Sequence, residues 1–86
     1  MPRYSIEFQR SAREALESLP RDVQLRVRTA IAHLAEQPRP PGSKKLSGQH
    51  NIWRIRIGNY RVLYAIEEHQ LVVFVVKIGH RREVYR

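Results

Sequence analysis

Two short runs of alternating hydrophobic and polar residues flank the dipeptide Gly58-Asn59. They cover residues 53–57 and 60–64, and their apolar positions recur at every second residue. Gly-Asn between two such runs is typical of a two-residue β-hairpin loop of type II′, in which glycine supplies the positive φ that matches the twist of the strands. The pattern therefore predicts a hairpin whose register is set by its loop.

That register divides the side chains between the two faces of the hairpin. With Gly58 and Asn59 as the loop, Arg56 lies directly opposite Arg61. Two opposed guanidiniums repel each other, which is easier to explain if the pair serves to hold an anion such as phosphate. The cationic face contains Arg54, Arg56 and Arg61, and the apolar face contains Trp53, Ile55, Ile57, Tyr60, Val62 and Tyr64.

The first part of the chain predicts one strand and two helices. Residues 3–8 alternate between polar and apolar, as in a strand. From about residue 11 the apolar positions follow the i, i+3, i+4, i+7 spacing of one helical face. Pro20 ends that pattern and suits the first turn of a following helix, whose apolar stripe runs to about residue 37.

The remaining segments predict a loop, a turn and a central strand. Residues 38–42 contain three prolines, which cannot continue a helix and lack the donors of a central strand. Residues 67–70 form a polar turn, and residues 71–76 are apolar on both faces, as expected of a strand covered on both sides. The order β-α-α-β-β-β predicts one α+β domain over residues 1–86, with two N-terminal helices on one face of a mostly antiparallel twisted sheet.

Composition narrows the classes of partner and of chemistry. The net charge is +8, and nine of the 16 lysines and arginines follow residue 42 against three of the eight acids, which favours an acidic partner such as nucleic acid or an acidic protein. Cysteine is absent, which excludes a disulfide framework, a thiolate zinc site and a cysteine nucleophile. No apolar run resembles a membrane span or a signal peptide, so we expect a cytoplasmic protein that binds no membrane.

Three motifs carry a resemblance to a known family. They are Lys-Lys-Leu-Ser-Gly at residues 44–48, Trp-Arg-Ile-Arg-Ile-Gly-Asn-Tyr-Arg-Val-Leu-Tyr at residues 53–64 and Ile-Gly-His-Arg-Arg-Glu-Val-Tyr at residues 78–85. In combination they closely resemble toxins of the RelE/ParE superfamily, and the RelE-like branch in particular. The resemblance implies the toxin of a type II toxin-antitoxin pair. For the RelE branch it implies an endoribonuclease, or mRNA interferase, that cuts messenger RNA in the ribosomal A site.

The resemblance also implies partners and site residues. The partners are a RelB-like antitoxin, the ribosome with its messenger RNA, and operator DNA contacted through the toxin-antitoxin complex. Arg61 looks like the transition-state arginine, Arg81 like the second catalytic arginine and Tyr85 like the tyrosine that orients the substrate nucleotide. Neither arginine is assigned to the core. The other catalytic positions are Arg54, Arg56 and His80, and the substrate-binding positions are Lys44, Lys45 and Arg82.

The side chains favour RNA cleavage without a metal ion or other cofactor. Asp22 is the only aspartate, and no carboxylates and histidines cluster as a divalent metal site requires. The substrate's own 2′-hydroxyl can act as the nucleophile, while the protein accepts a proton, stabilises the phosphorane and protonates the leaving 5′-oxygen. The forked donors of Arg56 and Arg61 suit the second task, and their permanent charge disqualifies them from the first.

The general base therefore has two candidates, since this chain carries arginines where relatives place lysines. They are His80, whose imidazole is the side-chain type that exchanges protons near neutral pH, and Tyr85. We favour His80. In an extended tail, however, alternation places His80 on the face opposite Arg81 and Tyr85, and only a bend after Gly79 would bring the three together.

Two other functions compete with the nuclease. A ParE-like inhibitor shares the fold but binds DNA gyrase, and its members generally lack the full basic set and the terminal tyrosine. A catalytically weak RelE-like protein would bind nucleic acid through charge alone, with a steep salt dependence and no cleavage. Retention of Arg61, Arg81 and Tyr85 favours the nuclease.

Overall fold

The structure, a computed structural model, describes residues 3–48 and 51–80. These residues form two helices and one five-stranded sheet of order β1-β5-β4-β3-β2. Strand β1 runs parallel to β5, and the other neighbouring strands are antiparallel. The predicted α+β class is confirmed. The elements are β1 (Ser5–Phe8), α1 (Arg10–Glu17), α2 (Arg21–His33), β2 (Lys44–Lys45), β3 (Ile52–Ile57), β4 (Tyr60–Glu67) and β5 (Val72–His80).

Both helices form where the apolar stripes predict them, and α2 ends earlier. Its last turn tightens into hydrogen bonds between residues three apart, from the amides of Leu34 and Ala35 to the carbonyls of Ile31 and Ala32. Pro38 follows and disfavours helical geometry in the residue before it. Pro20 is the N-cap residue of α2, one position before the predicted first turn.

The helices cover one face of the sheet, which we call the helix face; the opposite side is the outer face. Helix α1 packs on β5 and α2 packs on β3. Burial of these apolar side chains from water supplies the main driving force for folding. The core consists of Ala12, Leu16, Val27, Ile31, Leu34, Ile55, Val62, Tyr64, Ile66, Val73, Val75 and Ile78.

The hairpin between β3 and β4 has the predicted register. Arg56 lies opposite Arg61, and Trp53 lies opposite Tyr64. Gly58 has φ +60°, the value that the first loop position of a type II′ turn requires. Asn59 has no positive φ, which excludes the type I′ alternative. A Cβ at this position would lie 3.2 Å from Nη2 of Arg26, so that flexible side chain would have to shift by only a few tenths of an ångström.

The predicted loop at residues 38–42 is fastened to the sheet by Tyr64 and Arg39. The Tyr64 hydroxyl donates a hydrogen bond of 2.7 Å to the carbonyl of Pro38. Arg39 forms a 2.7 Å ion pair with Glu68, and its guanidinium carbon lies 5.1 Å from the ring centroid of Trp53. The loop leads into β2, a two-residue strand too short for any alternation in the sequence to predict.

Strand β5 is longer than predicted and contains an irregularity. It runs through His80, while Leu71 lies in the preceding turn with φ +55°. Leu63 pairs with Lys77 and Tyr64 pairs with Val75, so Val76 has no partner across the ladder. An extra residue of this kind is a β-bulge, which shifts the following side chains to the other face. No helix in the part of the chain described is long and apolar enough to cross a membrane.

Candidate functional site

Five basic side chains occupy one end of the outer face, next to the hairpin turn. Lys44 lies opposite Arg54 on β3, and Leu63 and Lys77 continue that row across β4 and β5. In the next row Arg56 lies opposite Arg61, whose other neighbour is Gly79. Residues that are paired across a ladder point to the same face. We call this group the cationic cluster; its members are Lys44, Arg54, Arg56, Arg61 and Lys77.

Burial differs sharply within the cationic cluster. Arg54 and Arg61 are each only 8% exposed, whereas Arg56 is exposed although it lies opposite Arg61. The expectation that Arg61 stands outside the core needs correction on this point. Its side chain packs into the fold as well as carrying charge, because a long arginine stem buries apolar methylenes.

The charge of the outer face is strongly uneven. Its acids among residues 3–48 and 51–80 are Glu7 and Glu67, which lie at the end of the sheet away from the hairpin turn. The residues between them on that end are apolar and partly buried, namely Ile52, Ala65, Val72 and Phe74. The exposed members of the cationic cluster, Lys44, Arg56 and Lys77, therefore lie at the end of the outer face opposite to these two acids, an arrangement that favours a polyanionic ligand.

Lys77 is the member of the cationic cluster that sequence reasoning missed. A regular ladder continued from Val75 opposite Tyr64 would place Lys77 opposite Val62, inside the core. The bulge at Val76 instead turns Lys77 to the outer face and Ile78 to the core. The one signal in the sequence is a lysine that interrupts an otherwise apolar strand, since a single buried lysine is strongly disfavoured.

Two of the predicted site residues lie on the helix face instead. Lys45 pairs with Trp53, and His80 pairs with Tyr60. The Tyr60 and His80 rings meet edge to face with their centroids 5.6 Å apart. No bend follows Gly79, because β5 continues through His80. The sheet thus separates the favoured general base from Arg56 and Arg61.

Three further predicted positions, Arg81, Arg82 and Tyr85, lie outside the described residues. Within the described ranges, no three histidines, cysteines or acids are grouped so that they could hold a metal ion. Trp53 is partly buried against the core, as its position on the apolar face predicts. The chemistry that this part of the site offers is therefore multiple cationic hydrogen-bond donors on one sheet surface.

Comparison with known proteins identifies the family. A family model described as the ParE toxin of the type II toxin-antitoxin system parDE matches residues 6–85. The chain belongs to this toxin family. The match includes the segment beyond His80 that carries the remaining predicted site residues.

Curated relatives place the toxin within the RelE/ParE superfamily. Toxin RelG of Mycobacterium tuberculosis is 30% identical over 84 residues, which cover 96% of this chain and 97% of RelG. The mRNA interferase toxin RelE of Escherichia coli is 28% identical over 86 residues, which cover 95% of this chain and 90% of RelE. The predicted superfamily is confirmed, and the protein is a type II toxin of the RelE family.

Solved structures show the same fold at similar identity. The archaeal RelE-RelB complex from Pyrococcus horikoshii contains a chain that matches with a TM-score of 0.82 and 27% identity, covering 96% of this chain and 99% of that one. The isolated RelE toxin of Escherichia coli matches with a TM-score of 0.81 and 28% identity, covering 95% and 90%. The helix pair and five-stranded sheet are thus the fold of RelE toxins.

Proposed function

We propose that this toxin is a ribosome-dependent mRNA endoribonuclease that cleaves RNA through the substrate's 2′-hydroxyl without a metal ion. The observation that carries the proposal is the pairing of Arg56 with Arg61 inside the cationic cluster. Like charges placed directly opposite each other destabilise a sheet, and a bound phosphate removes that repulsion. The similarity to a RelE named an mRNA interferase supports the same activity.

Each member of the cationic cluster would have a role in RNA binding or cleavage that follows from its position on the sheet. Arg56 and Arg61 would donate hydrogen bonds to the phosphorane oxygens, which carry more negative charge in the transition state than in the ground state. Arg54 stands next to them in the adjoining row and would hold the substrate phosphate. Lys44, exposed at the edge of the sheet, would contact the RNA backbone as a point charge.

The segment beyond the described residues would supply the other roles. Arg81 would add a second donor to the phosphorane and Arg82 a contact to the RNA. We assign proton transfer to Tyr85 ahead of His80, because the ladder places His80 against Tyr60 on the helix face. A base must reach the proton that it abstracts, and the sheet lies between His80 and the paired arginines.

The toxin would be neutralised by a cognate RelB-like antitoxin. Solved relatives include RelE-RelB complexes, such as the one from Pyrococcus horikoshii. An acidic or amphipathic antitoxin segment would complement the cationic cluster and block its access to RNA. Operator DNA would be contacted through the toxin-antitoxin complex, and the ribosome and its message by the free toxin in the cytoplasm.

A second candidate function is inhibition of DNA gyrase. The match to the ParE family model favours it, because ParE-like members act on gyrase and share this fold. A catalytically weak nucleic-acid-binding protein is the third possibility. The cationic cluster favours the nuclease over the gyrase inhibitor, since ParE-like members generally lack the full basic set.

The proposal is tested by inducing the toxin in cells that lack its antitoxin and mapping message ends by primer extension. We expect cuts at defined codon positions that disappear with Arg56→Gln and persist with Arg10→Gln. Arg10 is the matched control, because its side chain is 92% exposed and lies on α1, away from the outer face. A parallel supercoiling assay covers the alternative: intact messages with inhibited gyrase would overturn the nuclease and support a ParE-like function.

A further inference from the structure

We propose that Lys77 contacts the backbone of the RNA substrate, as a substrate-binding residue recruited to the cationic cluster by the β-bulge at Val76. The inference deepens the proposed function and rests on it. Lys77 lies on β5, and no other residue of β5 contributes charge to the outer face.

The bulge decides which way Lys77 points. Val75 is 0% exposed and Ile78 is 5% exposed. In a regular strand a single residue separates two neighbouring buried positions, whereas two residues separate Val75 from Ile78. One of those two, Val76, has no partner across the ladder, and the other, Lys77, pairs with Leu63. Lys77 therefore shares a face with Arg54 and is exposed.

Lys77 is close enough to the paired arginines to act on the same ligand. Arg61 pairs with Gly79, two residues along β5, so Lys77 and Arg61 are diagonal neighbours roughly 7–8 Å apart. Gly79 has no side chain to fill the space between them. A long ammonium side chain and a guanidinium at this separation can bind neighbouring oxygens of one backbone.

The charge of Lys77 is available to an outside partner. Within residues 3–48 and 51–80 its ammonium forms no ion pair with a carboxylate. The acids of the outer face, Glu7 and Glu67, lie at the other end of the sheet. An exposed ammonium beside guanidiniums adds to the positive potential that attracts an anionic ligand.

The row also indicates the direction of the bound strand. Lys44, Arg54 and Lys77 stand on β2, β3 and β5 in one row across the sheet. With neighbouring strands about 4.8 Å apart, the row spans roughly 14 Å, which is longer than a single phosphate group. The residues at the two ends of the row therefore contact different phosphates. The RNA backbone crosses the strands of the sheet, and Lys77 contacts it at one end of the row.

The test compares three variants of the full chain, Lys77→Gln, Lys77→Arg and Arg10→Gln. Arg10 is the matched control, because its side chain is 92% exposed and lies on α1, away from the outer face. The probe is a single-stranded RNA oligonucleotide with 2′-O-methyl groups, which cannot be cleaved through its 2′-oxygen. Binding is followed by fluorescence anisotropy over a series of salt concentrations.

We expect Lys77→Gln to weaken binding about 3- to 10-fold and to reduce the slope of log affinity against log salt by about 0.7, the value for one phosphate contact to a single strand. Lys77→Arg and Arg10→Gln should bind like the wild type. Unchanged binding by Lys77→Gln, or an equal loss with Arg10→Gln, would overturn the assignment. Cleavage of ribosome-bound message by the wild type is measured separately, so failure of the nuclease proposal remains distinguishable from failure of this contact.

Discussion

Arg56 and Arg61 lie directly opposite each other across the hairpin, yet Arg61 is only 8% exposed while Arg56 is exposed to solvent. Removal of the two side chains should therefore have different effects on binding and on stability. Arg56 is free to move toward a ligand, and its removal should perturb binding without disturbing the fold. Arg61 is held in place by packing, which would preorganise a donor for the transition state of the proposed cleavage and which ties its removal to stability.

Replacement of Arg61 by alanine should lower both stability and activity. Loss of the buried stem leaves a cavity, and we expect the free energy of unfolding to fall by about 1–3 kcal/mol. Arg61→Lys keeps a charged stem and should recover most of that stability, while cleavage stays about 10²- to 10³-fold slower. Thermal unfolding and single-turnover cleavage separate the two effects. An alanine variant that unfolds at the wild-type temperature would show that packing does not hold Arg61.

Tyr64 should make stability fall at alkaline pH. Burial raises its pKa from 10.0 to about 12, so the folded state retains the phenol proton more strongly than the unfolded chain. Stability from this group is complete below pH 10 and is lost between about pH 10 and 12, by roughly 2–3 kcal/mol.

Tyr64→Phe provides the comparison for that pH dependence. Near neutral pH it should destabilise by about 0.5–1.5 kcal/mol, because the carbonyl of Pro38 loses its donor. Urea titrations from pH 8 to 12 should show the variant losing less stability than the wild type, until the order of the two reverses. Parallel curves for the two proteins would contradict the assignment.

The β-bulge at Val76 makes opposite predictions for Lys77 and Ile78. Ile78 is 5% exposed and lies opposite Val62, so Ile78→Ala should destabilise by about 2–4 kcal/mol. Lys77→Ala, on the outer face, should stay within about 0.5 kcal/mol of the wild type. A regular ladder would reverse the order, with Lys77 in the core. Urea unfolding of the two variants distinguishes the arrangements.

His80 should be dispensable for proton transfer, and Tyr85 should not. Because His80 meets the Tyr60 ring on the helix face, His80→Gln should cleave within a few-fold of the wild type and keep the same pH–rate profile. Tyr85→Phe should lose about 10²-fold or more, the range typical of a missing acid or base. If His80→Gln instead abolished the acidic limb of the profile, His80 would have to reach the substrate.

The parts of the fold and site that the sequence predicts are those set by short-range rules. The hairpin followed from Gly58 and its flanking alternation, and with it the opposition of Arg56 and Arg61. The helices followed from their apolar stripes. These features depend on residues that are close in sequence, where periodicity and turn chemistry are decisive.

The remaining features depend on contacts between distant segments. The apolar run at residues 72–76 does not indicate the extra residue at Val76, because apolar side chains suit either face. The lysine that follows is the one local signal that the strand changes face. The burial of Arg61 depends on what packs around β4, which alternation alone does not describe. For His80, β5 continues through the residue without a bend and places it opposite Tyr60 on the helix face, whereas Arg81 and Tyr85, against which the sequence set it, lie outside the described residues.

The most direct test of the nuclease uses purified toxin and ribosomes programmed with a message that carries a single 2′-deoxynucleotide at the cleavage position. The wild-type toxin should cut the all-ribose message to leave a 2′,3′-cyclic phosphate, and Arg56→Gln should cut it about 10²- to 10³-fold more slowly. Neither protein should cut the 2′-deoxy message, because the attacking hydroxyl is missing. Cleavage of the 2′-deoxy message, or no cleavage of the all-ribose message by the wild type, would contradict the account.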